Sequence, residues 1–362
     1  MPYGILAADQ IQTSTTGVSL GAGNATRFKN RIINGDMRID QRNAGASVSL
    51  PDGAVNYFFP ADRWACSRAN GATATGQQSS TAPTGFINSL VITNGTGITV
   101  GSTGQGYVFQ CIEGLNVSDL GWGTANAKTL TLSFWVQSSI TGTHSGVFSN
   151  GALNRSYAFT YSIPVANTWT QISITIAGDT TGTWLTTNGR GLYVLFNNGS
   201  GSTYLTSAGS WTAGNYYGAT GSVALNSVTG STWYITGVQL EVGSSATGFE
   251  YVDYTTQLQM CQRYYSTGIV ANGFCGSATD VYVTVNYPVA MRTTPTTSQT
   301  AVIQVFEGST NYTQSAINIS YVAGNANGKV IGLGSYTGLT QYRPCVMNFN
   351  GASGTLTQSA EL

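Results

Sequence analysis

Charge is what this chain lacks most. Only 8% of its 362 residues are Asp, Glu, Lys or Arg, against roughly 25% in ordinary soluble proteins. Fourteen basic residues balance fourteen acidic ones, too few and too scattered to track a phosphate backbone, so nucleic acid is not an expected partner. The only local basic cluster, Arg27, Lys29 and Arg31, reads as a solvated or intersubunit feature. A surface so poor in charge is weakly protected against association, and partner chains are expected to cover much of it.

Other shortages exclude chemistry. A single histidine, His144, rules out a three-histidine zinc centre and makes any Ser-His-Asp or Cys-His machinery depend on that one residue. It sits in Gly142-Thr143-His144-Ser145-Gly146, which reads as a loop with a surface or polar-contact role. Five cysteines, an odd number without a Cys-x-x-Cys, suit neither a disulfide framework nor zinc; they read as buried apolar residues of a chain folded in a reducing compartment. No P-loop or dinucleotide fingerprint is present. No apolar run approaches the ~18 residues of a membrane helix, and residues 1–10 lack the basic and apolar regions of a secretory signal. Neither a cofactor nor a catalytic metal is expected. Two carboxylate pairs, Glu113 with Asp119 and Glu241 with Glu250, are the only candidates for glycoside hydrolysis, and hydrogen-bonding or ion-pair roles are their default.

What is abundant is β-pattern. Leu130, Leu132, Phe134 and Val136 alternate with polar residues and Trp135; so do Ile172, Ile174 and Ile176, then Leu192, Val194 and Phe196, then Val238, Leu240 and Val242. Val281, Val283, Val285 and Tyr287 repeat the pattern near the C-terminus, followed by Ile317, Ile319 and Tyr321. Clusters such as Asn197-Asn198-Gly199-Ser200-Gly201 supply turns between strands. The expectation is an all-β chain: a jelly-roll β-sandwich, a short helix and a smaller C-terminal β-domain. Leu258, Cys261 and Tyr265 fall on one helical face, so residues 255–265 read as a connecting helix, a continued strand being the alternative. The division is residues 1–24 as an extended arm, 25–254 as the sandwich, 255–265 as the connector and 266–362 as the C-terminal domain.

Aromatic residues are the other surplus: 20 Tyr, 13 Phe and 7 Trp. Several lie in Gly-rich, loop-like surroundings, namely Trp122, Trp184, Trp211, Tyr216 and Tyr217, with Asn126, Asn188 and Asn215 nearby. A flat ring suits the C–H face of a sugar, and amides suit its hydroxyls. In the last domain Tyr312, Tyr336 and Tyr342 are the competing candidates. The bland alternative is that these rings cap the sandwich or fill subunit interfaces.

A resemblance is carried by Asn34-Gly35-Asp36-Met37-Arg38-Ile39-Asp40-Gln41-Arg42, Asp62-Arg63-Trp64, Leu132-Ser133-Phe134-Trp135-Val136 and Gly178-Asp179-Thr180-Thr181-Gly182-Thr183-Trp184. Further segments are Gly237-Val238-Gln239-Leu240-Glu241-Val242-Gly243, running into Gln259-Met260-Cys261-Gln262-Arg263-Tyr264-Tyr265, and Pro288 to Pro295. In this order they resemble receptor-binding and tail-fibre proteins of tailed bacteriophages. The 25–254 region also resembles the jelly rolls of carbohydrate-binding modules. The resemblance implies a virion tail appendage, assembled in the host cytoplasm and usually a homotrimer; the missing catalytic constellations make a non-enzymatic one the expectation. It would be anchored at one end and touch the host surface with the other; the residues themselves point to 1–24 as the attachment to other virion proteins, through Ile5, Leu6 and Ile11, and to a host-surface glycan as ligand of the loop aromatics, without membrane insertion. A purely structural virion component, such as baseplate, collar or capsid decoration, is the alternative; a polysaccharide depolymerase is a minor one. The resemblance also raises a structural calcium near Asp36 and Glu241, which no ligand spacing in the sequence supports.

Overall fold

The computed structural model describes residues 10–12, 19–21, 29–53, 57–268, 271–299, 303–314, 319–349 and 356–362. The expected arm, residues 1–24, lies outside the described residues apart from one antiparallel strand pair, Gln10–Gln12 with Ser19–Gly21; Arg27 lies outside them too. The chain divides into two compact units, Met1–Asp253 and Tyr254–Leu362.

The first unit is a sandwich of two antiparallel sheets. One sheet runs, in spatial order, Trp211–Ala213, Arg155–Ile163, Gly142–Asn150, Arg190–Asn197, Gln105–Glu113, Trp64–Ala69 and Phe58–Ala61. The other runs Thr170–Ile176, Leu130–Ser138, Thr232–Val242, Ser89–Asn94, Ala74–Ser79 and Val48–Leu50. From Gln105 onward the chain passes back and forth between the sheets, the habit of a jelly roll. The predicted alternation puts Leu130, Leu132, Phe134 and Val136 inward, and they meet Trp64, Phe148, Phe159, Phe196, Trp233 and Ile235 in one core. Phe196 stands at its centre, 5.2 Å from Phe134 and 5.6 Å from Trp233. Each such ring buried contributes about 1.5–3 kcal/mol relative to exposure.

The seven-stranded sheet departs from simple alternation, because both its faces are covered. The segment after Asn197 folds back over its outer face: Tyr217 stacks on Tyr107 at 4.3 Å, and Tyr204 lies 4.8 Å from Tyr217. Polar strand residues are satisfied by this cover, as where the Ala219 amide donates to Ser145 Oγ at 3.0 Å. His144 is corrected by the same sheet. It lies within strand Gly142–Asn150, fully buried, stacked on Tyr161, with Nε2 3.0 Å from the Ile140 carbonyl.

Two local devices matter below. The strand Thr232–Val242 slips register between Thr236 and Gln239, with Gly237 at φ 61°. The Asn34–Arg38 turn holds Asn34 and Met37 at φ 57° and 58°, a left-handed conformation costly for a buried methionine. Side-chain bonds stabilise it: Asn34 donates to the Ile39 and Asp62 carbonyls and accepts from the Ile39 amide, while Trp64 Nε1 donates to the Asn34 carbonyl.

The second unit opens with the helix, Tyr254–Gln262, so the helix is part of a folded body. Its buried face is Gln257, Cys261 and the following Tyr264, one position off the face read from sequence. A seven-stranded sheet follows, in the order Thr310–Gln314, Ile303–Glu307, Pro344–Phe349, Ala271–Cys275, Val281–Asn286, Gly328–Leu333 and Ile319–Gly324. A three-stranded sheet is built from Tyr265–Ser266, Leu356–Ser359 and Thr296–Gln299. Val281, Val283 and Val285 point into its core with Ile303, Val305, Ile331 and Met347. All five cysteines are buried thiols outside any disulfide. Among the described residues no helix is long and apolar enough to cross a membrane.

Candidate functional site

Three of the singled-out tryptophans come together at one end of the first unit, from three separate stretches of chain. Trp122 follows the short turn Ser118–Leu120 between Gly121 and Gly123, whose φ of 62° and 85° only glycine adopts freely. Trp184 lies on the loop between strands Thr170–Ile176 and Arg190–Asn197. Trp211 opens the edge strand that pairs with Arg155–Tyr157. The rings stand edge to face in a closed triangle, Trp122 to Trp184 at 4.7 Å, Trp122 to Trp211 at 5.2 Å and Trp184 to Trp211 at 5.3 Å. Tyr157 adds a fourth ring 5.4 Å from Trp211.

Each indole N–H is used internally. Trp122 donates to the Lys128 carbonyl (2.7 Å), Trp184 to Thr181 (3.2 Å) and Trp211 to Ala177 (2.8 Å). Trp122 is 7% exposed, whereas Trp184 and Trp211 are half-buried. An ion pair beneath the loop pins it: Arg155 Nε and Nη2 donate to the two oxygens of buried Asp179, each at 2.8 Å. Asp179 also accepts from the Thr181 amide and hydroxyl, and its backbone carbonyl accepts from the Gly123 amide. Burial raises the Asp179 carboxyl, but the Arg155 and Thr181 bonds outweigh it and hold it below the ordinary carboxylate value.

Beside the rings lies a cavity of about 190 Å³, lined by Val117, Leu120, Trp122, Thr124, Trp184 and Leu185 among others. It is smaller than the ~300–1,000 Å³ of sites for drug-sized molecules, so it admits one ring or one side chain. Its walls are apolar with a few hydroxyls, and no titratable side chain lines it. The nearest charges in sequence form a surface cluster, Asp119 with Arg31 at 2.8 Å and with Lys128 at 3.7 Å. Asn126, Asn188 and Asn215 are not among the lining residues.

The remaining aromatic candidates fall elsewhere. Tyr216 is half-buried, its ring against Gly214. Tyr217 is corrected to a packing residue: it belongs to the covering segment, is buried against Tyr107 of the sheet, and its hydroxyl accepts from Asn215 at 2.9 Å. In the second unit Tyr336, 1% exposed, is likewise a core residue. Tyr312 is half-buried with its hydroxyl on the Gly338 carbonyl, while Tyr342 stands 75% exposed.

The carboxylate pairs are engaged. Glu113 is buried, Glu241 accepts from Gln239 and from the amide and hydroxyl of Thr247, and Glu250 accepts from the Asn30 amide. Asp36 is bonded to Arg38. Protein donors thus take Asp36 Oδ2 and both oxygens of Glu241, and among the described residues no group of three or more His, Cys, Asp or Glu could hold a metal. Sequence reading missed Tyr157 and the Arg155 partner of Asp179, because both reach the site from the strand Arg155–Ile163, and it missed Leu185, the neighbour of Trp184, because only aromatics were sought there.

No protein-family model matches the chain, and no curated protein is similar to it. Among solved structures, it is similar to the enzymatically active domain of tailspike protein 4 of bacteriophage CBA120, with 14% identity and a TM-score of 0.31 over 59% of this chain and 22% of that one. The chain therefore spans about a fifth of that domain. It is also similar to the family 11 carbohydrate-binding module of Clostridium thermocellum, solved with a β-1,3-1,4-mixed-linked tetrasaccharide, with 12% identity and a TM-score of 0.28 over 57% of this chain and 98% of that one. The carbohydrate-binding and catalytic modules of xylanase 10B from the same organism, solved with xylohexaose, match at 12% identity and a TM-score of 0.26 over 65% of this chain and 31% of that one. All three likenesses lie below the level at which a shared ligand or activity follows.

Proposed function

We propose that this chain is a non-enzymatic adhesin of a phage tail fibre or tail tip, one that grips a neutral host-surface glycan at the tryptophan end of its first unit. The observation that carries this reading is the convergence of Trp122, Trp184 and Trp211 from three separate stretches of chain, with Trp122 and Trp184 lining an apolar cavity sized for one ring. Their N–H groups are tied inward, so ring faces and edges are what a ligand meets. The Asp179–Arg155 pin holds them before a ligand arrives, which lowers the cost of binding. The low-charge surface supports an oligomer, with a trimer as the expected state. So does a contiguous apolar strip on the outer face of the second unit's large sheet, formed by Phe274, Tyr282, Val330 and Val346. Attachment to the particle through residues 1–24 belongs to the same proposal.

The second reading is a purely structural virion component. The near-complete burial of Trp122 favours it, since a plug closing the sandwich needs the same ring. Titrating the full-length protein and its Trp184→Ala and Trp211→Ala variants with a panel of bacterial O-antigen and capsular polysaccharides separates the two. The adhesin reading expects binding that each variant weakens roughly tenfold, the scale of an interface anchor. Absence of binding to every polysaccharide, or variants that bind as wild type does, favours the structural component.

A further inference from the structure

The turn Asn34–Arg38 and the bulged segment around Gly237, two of the sequence segments that carry the family resemblance, meet in space. The Val238 amide donates to the Gly35 carbonyl at 2.9 Å, and a Cβ on Gly35 would strike the Val238 carbonyl oxygen at 2.1 Å. On the other side of the bulge, a Cβ on Gly237 would strike the Phe86 ring at 2.6 Å, so the missing side chain is what seats that ring. Phe86 in turn anchors a three-ring cluster with Phe249 at 5.1 Å and Tyr251 at 5.7 Å. The two glycines thus bring a polar turn and an aromatic cluster to one place.

Between them lies a recess of about 210 Å³ lined by Asp36, Arg38, Gly85, Phe86, Ile87 and Tyr251. Its rim is unusually apolar for an open surface: Ile87 is 69% and Tyr251 59% exposed. Its wall is polar. Asp36 is 97% buried by its 3% exposure, its Oδ2 is bonded to Arg38 Nε, and its Oδ1 has no hydrogen-bond partner among the described residues. Oδ1 is itself buried out of reach of the recess, so the carboxylate acts by fixing Arg38 in the wall, beside two left-handed backbone positions, Asn34 and Met37. Arg38 is held by its second bond, Nη2 to the Val252 carbonyl at 2.6 Å.

We propose that this recess is a second saccharide-contact site, separate from the tryptophan end. It would take one neutral pyranose ring: a hydroxyl oxygen accepts from the Arg38 guanidinium, which Asp36 holds in place, and the C–H face lies on Tyr251. The Asp36–Arg38 pair is neutral as a unit, so it offers no net charge to a phosphate or an ammonium ion. Guanidinium donors at one wall, facing an aromatic ring, fit the hydroxyl oxygens and C–H face of a sugar. The volume admits one ring and no more.

The test is saturation-transfer NMR on the full-length protein with the methyl glycosides of glucose, galactose, mannose, rhamnose and N-acetylglucosamine as probes. The expected result is transfer to the ring protons of at least one glycoside, reduced about tenfold by Tyr251→Ala and by Asp36→Asn and retained in Trp211→Ala. Tyr251 is on the surface, so its variant carries the test should Asp36→Asn fail to fold. Three results would overturn the proposal: no transfer to any glycoside, transfer indifferent to Tyr251→Ala, or a Tyr251→Ala protein whose oligomer mass falls, which would make the recess a seat for a second copy. Loss of transfer in Trp211→Ala with none from Tyr251→Ala would leave the tryptophan site standing and remove this one.

Discussion

Replacing Asp179 by Ala tests whether the tryptophan end is a pre-built platform. The substitution leaves Arg155 Nε and Nη2, and the Thr181 amide and hydroxyl, without their acceptor. A fully buried partner left alone would cost about 3–5 kcal/mol. Here the Arg155 side chain is 21% exposed, so water can reach it, and the loss is that of charge-assisted bonds, about 2–3 kcal/mol in all. At roughly 2–4 °C per kcal/mol for a unit of this size, the first unit should melt roughly 4–12 °C lower. The loop also loses the Thr181 position that anchors Trp184, so native tryptophan fluorescence should shift to the red. Differential scanning calorimetry and an emission spectrum measure both. A melting shift within 1 °C, with unchanged emission, would refute the idea that this pair positions the rings.

Three further outcomes are expected. Burial lowers the His144 pKa from 6.5 despite its bond to Ile140, and Nδ1 has no partner among the described residues, so the fold should lose stability as pH falls through 6.5; His144→Gln should shrink the loss of melting temperature between pH 7.5 and 5.5, and an equal loss in both proteins would contradict this. Buried Lys329, whose Nζ donates to the Pro295 carbonyl, has its pKa pushed down by burial from 10.5 to about 8, so the second unit should gain stability as pH rises from about 8 to 10.5; Lys329→Met should remove that gain, and identical pH slopes for the two proteins would speak against it. Light scattering at micromolar concentration should return a homo-oligomer, a trimer being expected, and a clean mass near the 37.9 kDa of one chain would dismiss the assembly reading.

The fold was legible where one face of a strand is solvated. Val281, Val283 and Val285 alternate cleanly with exposed neighbours, and the structure follows the pattern residue by residue. It was not legible where both faces are covered. Gly142 to Gly146 reads as a loop because glycine usually marks turns. Gly146 is required for another reason: a Cβ there would meet the Leu195 carbonyl at 2.3 Å and the Phe159 ring at 2.4 Å inside the sheet. Of the site, Trp122, Trp184 and Trp211 were legible from their Gly-rich surroundings, although nothing local indicated that they meet. The same signal misled at Tyr217, since a Gly-rich segment that folds back onto a sheet buries its aromatics as effectively as a strand does; Tyr336, singled out for lying in the last domain, belongs to that unit's core. Asp36 was visible as part of a motif, but its recess depends on Gly237 and Phe86, about 200 and 50 residues away by their numbering.

The most direct measurement is the binding of fluorescently labelled full-length protein to a panel of bacterial strains, before and after mild periodate oxidation of their surface glycans. Labelling of at least one strain, abolished by oxidation and reduced at least tenfold in a folded, oligomeric Trp184→Ala/Trp211→Ala protein, is the predicted result. Labelling that survives oxidation and is equal in the double variant would contradict glycan recognition at the tryptophan end.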